Sequence, residues 1–376
     1  MERINIIATC TFGLEGILKD EVCKLGINDI NVKNGRVEYE GDVNILAKSN
    51  IWLRTADRIL IKIAEFDAVT FDELFEKTKE CNWERWITKE GAFPVAKATS
   101  VKSKLFSKSD CQKIVKKAVV EKMKKKYKLK WFEETGESYP IYVNILKDKV
   151  TLSIDSSGIG LHKRGYRVKG NEAPLKETLA AAMIFLSKWD VSRILADPFC
   201  GSGTILIEAA QIGKNIAPGL NRSFISENWS SNYKKTYKLI KQDARDQIND
   251  KEFRILGSDI DKRSVVLAMG NAQTAEVSEY ISFQKLDVSK FSSNKKYGVI
   301  ITNPPYGERL SSKKEVEKLY KVMGKTFSQL DYWSYFILTG HLSFEKYFGK
   351  RATKNRKLYN GNILTYLYQY YGKLPR

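Results

Sequence analysis

Apolar residues alternate over 3–10 and then recur at helical spacing over 13–25, where Leu14, Ile17, Leu18, Val22 and Leu25 share a face. Two short alternating runs follow, Ile30-Asn31-Val32-Lys33 and Arg36-Val37-Glu38-Tyr39-Glu40, with Asn34-Gly35 between them. Asn-Gly in that setting predicts a type I′ hairpin turn, in which both central residues take positive φ. A helix over about 42–52 and a strand over about 58–65 complete the order β-α-β-β-α-β. That is the order of a ferredoxin-like unit, expected over 1–66.

Residues 67–165 read as a second, α+β unit. Ser109-Asp110-Cys111-Gln112 has capping-box spacing, so Ser109 and Gln112 are expected to open a helix. Cys111, Ile114, Val115, Ala118, Val119, Met123 and Tyr127 then mark one apolar face, with lysines on the remainder. Tyr142–Ile145 and Val150–Ile154 read as strands around the charged turn Lys147-Asp148-Lys149.

From about 170 the pattern changes to strands alternating with helices, which predicts a parallel α/β sheet within a domain spanning 166–376. Strands are expected at 193–199, 254–260, 281–287, 297–302 and 333–338, and helices at 203–212, 262–275 and 313–329. Gly213 is placed to cap the first of these helices. Residues 363–371 form a long final strand, and 356–359 before Asn360-Gly361 read as its hairpin partner.

Composition narrows the class. A chain of 376 residues exceeds one ordinary core, so two or three domains are expected. No apolar run approaches the ~20 residues of a membrane helix, and the N-terminus lacks a signal-peptide profile, which predicts a cytoplasmic protein. Five scattered cysteines predict reduced thiols, and two histidines without ligand spacing argue against a metal site. Net charge is +20, and between Lys97 and Lys130 thirteen lysines face only Asp110 and Glu121. An excess so concentrated is either a solvated helix face or the footprint of a polyanion, and the basic chain as a whole favours nucleic acid. Lys108, Lys113, Lys116, Lys117 and Lys124 are the candidate contacts.

Two segments about a hundred residues apart carry the chemistry. Asp197-Pro198-Phe199-Cys200-Gly201-Ser202-Gly203-Thr204 lies where a strand feeds a helix, the place where open α/β sheets bind ligands. Gly201 and Gly203 let the backbone turn sharply and approach a ligand closely. No lysine follows in a phosphate-loop pattern, which disfavours a triphosphate. Strand ends at Asp259 and Asp287 offer carboxylates; Asp261 is an alternative to Asp259, or a helix cap. The second segment is Asn303-Pro304-Pro305-Tyr306. The lone pair of an exocyclic base amine is delocalised into the ring, and such an amine gains reactivity when acceptors hold its hydrogens. The Asn303 side-chain carbonyl and the Pro304 backbone carbonyl fit that task, two prolines stiffen the loop, and Tyr306 can stack on the base.

Both segments resemble motifs of class I methyltransferases that modify amino groups. Leu105–Ile114 resembles the THUMP domain of RNA-modifying enzymes. Gly307-Glu308-Arg309, Asn215–Phe224 and the junction His162–Arg167 extend the likeness to the bacterial 23S rRNA guanine-N2 methyltransferases, often labelled N6-adenine-specific DNA methylases. The resemblance implies a Rossmann-like methyltransferase domain with a mostly parallel sheet, preceded by ferredoxin-like and THUMP units. It implies S-adenosylmethionine held by Thr178, Asp197, Phe199, Cys200, Gly201, Gly203, Thr204, Asp259, Ile260, Asp287, Val288 and Asn303, with Thr178 in a segment (172–180) like motif X. The implied partner is RNA, either 23S rRNA or a pre-ribosomal particle, without metal or membrane. Asn-Pro-Pro-Tyr alone leaves adenine-N6 open, as well as tRNA or DNA as substrate. A noncatalytic RNA-binding or ribosome-assembly factor is the reading of another class.

Overall fold

The computed structural model describes residues 3–167, 175–306 and 313–373. The chain turns at Asn34-Gly35 between β2 (Ile30–Lys33) and β3 (Arg36–Gly41). Gly35 takes φ +72°, but Asn34 does not join it at positive φ. This is the sign pattern of a type II turn and corrects the expected type I′. Tertiary contacts select it: Gly35 N donates to Glu15 Oε1 at 2.8 Å, and Cys10 N donates to Gly35 O at 2.9 Å.

β1 (Ile4–Thr9) lies between β3 and β4 (Arg58–Asp67), antiparallel to both, with α1 (Glu15–Lys24) and α2 (Val43–Trp52) as the unit's helices. β4 then pairs along most of its length with β7 (Lys149–Asp155), from Leu60↔Asp155 to Asp67↔Lys149. The first two units therefore share one seven-stranded sheet, ordered β2-β3-β1-β4-β7-β6-β5, where β5 is Val95–Val101 and β6 is Ile141–Leu146. α3 (Phe71–Glu80) and α4 (Lys108–Tyr127) pack together on the second unit. Cys111, Val115, Ala118, Val119 and Met123 form the buried stripe of α4. Its cap is Ser107, whose Oγ accepts from Asp110 N, and not Ser109. Gln112 is unavailable for a capping box because its Nε2 donates to Val95 O at 2.7 Å, tying α4 to β5.

The second sheet runs β10-β9-β8-β11-β12-β14-β13. Its strands are β8 (Leu195–Asp197), β9 (Ile255–Asp259), β10 (Ile281–Lys285), β11 (Val299–Thr302), β12 (Ser334–Thr339), β13 (Lys354–Asn360) and β14 (Ile363–Tyr370). The first five are parallel and the last two form an antiparallel hairpin at the edge. Helices α5 (Glu177–Ser187), α6 (Thr204–Gly213), α7 (Ser231–Asp246), α8 (Lys262–Thr274), α9 (Lys313–Phe327) and α10 (Phe344–Phe348) belong to this half. Gly213 ends α6 without forming its left-handed cap; that conformation falls to Asn215, at φ +57°. Glycine is needed at 213 for packing, since a Cβ there would lie 2.6 Å from Phe253 Cζ.

The two halves interlock. α7 packs on α2, where Asn50 Nδ2 donates to Tyr237 Oη at 2.9 Å and to Ser156 Oγ at 3.0 Å, all buried. A Cβ on Gly219 would sit 2.7 Å from Ile51 Cα, so only glycine permits this approach. No helix among the described residues is long and apolar enough to cross a membrane.

Candidate active site

β8 lies between β9 and β11, and the chain order reverses there, so the ends of these three strands bound one crevice. Asp197 closes β8 and is only 2% exposed. Its Oδ1 accepts from Phe199 N at 3.0 Å and from Thr302 Oγ1 at 2.6 Å, joining the glycine turn to the residue before Asn303. Burial pushes this carboxyl up to about 7, against the pull of those two hydrogen bonds. Cys200 N donates to Ser258 O at 2.9 Å, fixing the turn to β9. Burial also pushes the Cys200 thiol up, so it is no thiolate nucleophile.

Gly201 and Gly203 adopt φ +51° and +82°, the left-handed region that glycine enters freely. A Cβ on Gly201 would enter open space, whereas one on Gly203 would press on Ala268 Cβ at 3.1 Å. The first glycine thus keeps room beside the turn, and the second lets α6 and α8 pack. Asp259 Oδ2 accepts from Gly201 N at 3.0 Å and its Oδ1 from Asp261 N at 3.0 Å. Each carboxylate oxygen has a further lone pair for a ligand hydroxyl. Asp261 caps α8, accepting from Arg263 N and Ser264 N. Ile260 is 63% exposed beside them. Asp287 Oδ1 accepts from Ser289 N at 2.8 Å; hydrogen bonding from the Ser289 side chain, and then from that backbone N–H, holds the carboxyl below its ordinary value, and Val288 after it is buried.

Two predicted residues point to structural partners. The Thr178 hydroxyl donates to Asp57 Oδ1 at 3.2 Å, across the junction with the first half. Thr204 Oγ1 accepts from Arg167 Nη2 at 2.7 Å, so the linker holds the start of α6. The remaining segments of the resemblance, 172–174 and 307–309, lie outside the described residues.

Asn303 follows β11. Its Oδ1 is buried and has no hydrogen-bond partner among the described residues, unusual for a side-chain carbonyl. Pro304 is buried and Pro305 exposed. Tyr320 Oη donates to Pro305 O at 2.9 Å and lies 2.8 Å from Thr339 Oγ1, anchoring the loop to α9 and β12. Tyr306 Oη accepts from Asn360 Nδ2 at 3.3 Å, and its ring lies against Gly340. The open space at Gly201, the spare lone pairs of Asp259 and the orphaned Asn303 carbonyl fit a nucleoside cofactor next to an amine substrate.

Sequence reading missed several supports. Thr302 aligns the two motifs, and Asn271 Nδ2 donates to Ser202 O at 2.9 Å behind the turn. Glu208 on α6 is fully buried; it accepts from Arg164 Nε and Tyr166 Oη at 3.3 Å each, and Arg54 lies 3.8 Å away. A lone charge among Ile205, Leu206, Ile207, Ala209 and Ala210 was the readable signal for such a partner. Arg164 and Arg167 therefore act as structural linker residues.

Lys108, Lys113 and Lys117 are exposed on α4. Lys116 is fastened inside its domain, bonded to Glu134 and to Phe93 O, with its ammonium 3.6 Å from the Phe93 ring centroid. Lys124 pairs with Glu121 at 3.2 Å. None of the five touches the turns at Asp197 or Asn303 among the described residues. No group of three His, Cys, Asp or Glu there could hold a metal ion, and all five cysteines are free.

Comparison with known proteins agrees with this geometry. Residues 5–60 match the RlmL ferredoxin-like domain, 68–155 the THUMP domain, and 164–369 the RMKL-like methyltransferase domain. The Bacillus subtilis protein named "Putative RNA methyltransferase YpsC" is 49% identical over 377 residues, covering 100% of this chain and 97% of that one. The ribosomal RNA large subunit methyltransferase K/L of Psychromonas ingrahamii is 34% identical over 95% of this chain, which spans about half (49%) of that relative. The crystal structure of SMU.472 complexed with SAH superposes with a TM-score of 0.94 at 43% identity, covering 100% of both chains. With the glycine turn, the Asp259 carboxylate and the Asn303 loop on one crevice, the chain belongs to the RMKL-like family and is an S-adenosylmethionine-dependent methyltransferase.

Proposed function

We propose that this methyltransferase acts on RNA and methylates the N2 amine of a guanine in 23S rRNA. The observation that carries the reading is the buried Asn303 Oδ1, an acceptor left without a partner among the described residues next to the cofactor turn. Support for RNA comes from the THUMP domain, the lysine-rich α4 and the names of the YpsC and K/L relatives. S-adenosylmethionine, when bound, supplies an electrophilic methyl group. The backbone at Gly201 and Gly203 would cradle the cofactor, Asp259 would accept from its ribose hydroxyls, and Asp287 would take its adenine amine. Asn303 Oδ1 and the Pro304 carbonyl hold the two hydrogens of the substrate amine, rotating its lone pair out of conjugation. Tyr320 already occupies the Pro305 carbonyl, which leaves the Pro304 carbonyl as the second acceptor. Tyr306 stacks on the flipped base, an interaction worth roughly 1–3 kcal/mol. No strong base is required, because the proton leaves after the amine has become cationic.

The test offers unmodified transcripts of 23S rRNA and tRNA, and duplex DNA, to the protein with labelled cofactor. Incorporation into the 23S transcript alone supports the proposal; label in tRNA or DNA instead refutes the assigned substrate.

A further inference from the structure

A cavity of about 710 Å³ lies where the linker meets the segment after α6, apart from the glycine turn. Among the described residues its wall carries Lys163, Arg164, Arg167, Lys176 and Arg222 against a single carboxylate, Glu177. Arg164 is balanced by Glu208, and Arg167 by Glu177 at 3.4 Å. Arg222 is fastened by carbonyls, its Nη1 donating to Gly160 O at 3.0 Å and Lys163 O at 2.9 Å, and it forms no direct ion pair among the described residues. The ammonium groups of Lys163 and Lys176 have neither hydrogen bond nor ion pair among the described residues. The Nε–H groups of Arg167 and Arg222 are buried and unpaired among those residues, and a buried donor without an acceptor is costly.

We propose that this cavity binds a phosphodiester group of the RNA strand whose base is methylated, an inference that rests on the RNA reading above. Guanidinium and ammonium donors around this cleft match phosphate oxygens. The position suits a substrate strand and not a stored anion. Arg167 forms part of the wall and also donates to Thr204 at the start of α6, so one side chain links the cavity to the glycine turn. Phosphate contacts of this kind set register while the base pocket sets specificity. Burial, and then the charges of Lys176, Arg164, Lys163 and Arg58, hold the imidazole of His162, also on the wall, down to about 4. The second of these causes is the positive charge that favours an anion here.

The test compares wild type with Lys163→Ala/Lys176→Ala by filter binding to an unmodified 23S rRNA transcript over a range of KCl concentrations. Calorimetry with S-adenosylmethionine serves as the folding control and is expected to give the wild-type affinity. The log-log salt slope of the double variant should be shallower by roughly 0.7 per lost phosphate contact, or about 1.4 in all. In wild type, the His162 imidazole signal should move toward its protonated position on adding the transcript, and much less with millimolar inorganic phosphate. An unchanged RNA affinity and slope overturns the phosphate site while leaving the RNA reading intact. An equal response to inorganic phosphate identifies an unspecific anion site and likewise overturns it. If wild type binds no RNA at all, both the inference and the RNA reading fall.

Discussion

Asn303→Ala separates catalytic from structural roles because the two predict opposite signs in stability. The Asn303 carbonyl is buried without a partner among the described residues. Such a group carries a desolvation cost of about 1–3 kcal/mol. Truncation removes that cost and sacrifices some packing of a half-buried side chain, so the free variant should match wild type or exceed it by about 1 kcal/mol. In a chain of this size that is a rise in Tm of roughly 2 °C at most. In the reaction the same oxygen holds an amine hydrogen, and the bond strengthens as the nitrogen becomes positive. Losing one preorganised partner of this kind costs about 100- to 1000-fold in turnover, near 3–4 kcal/mol. The assay is single-turnover methyl transfer from labelled cofactor, paired with thermal melts and with calorimetry for cofactor and RNA. Both ligands should bind within a few-fold of wild type. A near-normal single-turnover rate would refute the amine-holding role. So would a rate loss matched by a Tm drop of several degrees, since Asn303 would then be a strut.

Asp259→Ala should weaken S-adenosylmethionine binding by about 2 kcal/mol, roughly 30-fold, because charge-assisted bonds to ribose are lost and Gly201 N is released; unchanged affinity in a folded variant excludes Asp259 from the cofactor site. Lys108, Lys113 and Lys117 changed together to Glu should flatten the RNA salt slope by roughly 0.7–0.9 per phosphate contact and leave cofactor affinity alone, and an unaltered slope makes α4 a merely solvated face. Lys116 is left out because Glu134 and Phe93 already engage it. Asp197 has a folded-state pKa near 7, well above its unfolded value, so the native state binds the extra proton between about pH 4 and 7 and its contribution to stability falls as pH rises through that window. Asp197→Asn keeps an Oδ1 acceptor for Thr302 and Phe199, so its stability relative to wild type should climb by a few kcal/mol from pH 4 to pH 8; parallel denaturation profiles would contradict this.

Element types were legible where one periodicity held for several turns, as in the buried stripe of α4 and the β-α alternation after residue 190. α7 was not, because its buried face rests on Thr236, Tyr237, Ile240 and Ala244 within a polar run. The pairing of β4 with β7 escaped as well, since joining two units into one sheet is a long-range event with no local signal. Turn chemistry gave the position at Asn34-Gly35 but not its type, which Glu15 and Cys10 decide from elsewhere in the fold. In the site, Asp197, Gly201, Gly203 and Asn303 stood out because their chemistry is rare in those settings. Thr302 and Asn271 did not, because a hydroxyl or an amide gains its meaning only from what lies across from it in the fold.

The decisive experiment is mass-spectrometric identification of the nucleoside made when the protein and labelled S-adenosylmethionine act on 23S rRNA lacking the modification. The expected product is N2-methylguanosine, formed by wild type and nearly absent with Asn303→Ala. N6-methyladenosine, a ring-nitrogen methylation, or no methylated nucleoside at all would contradict it.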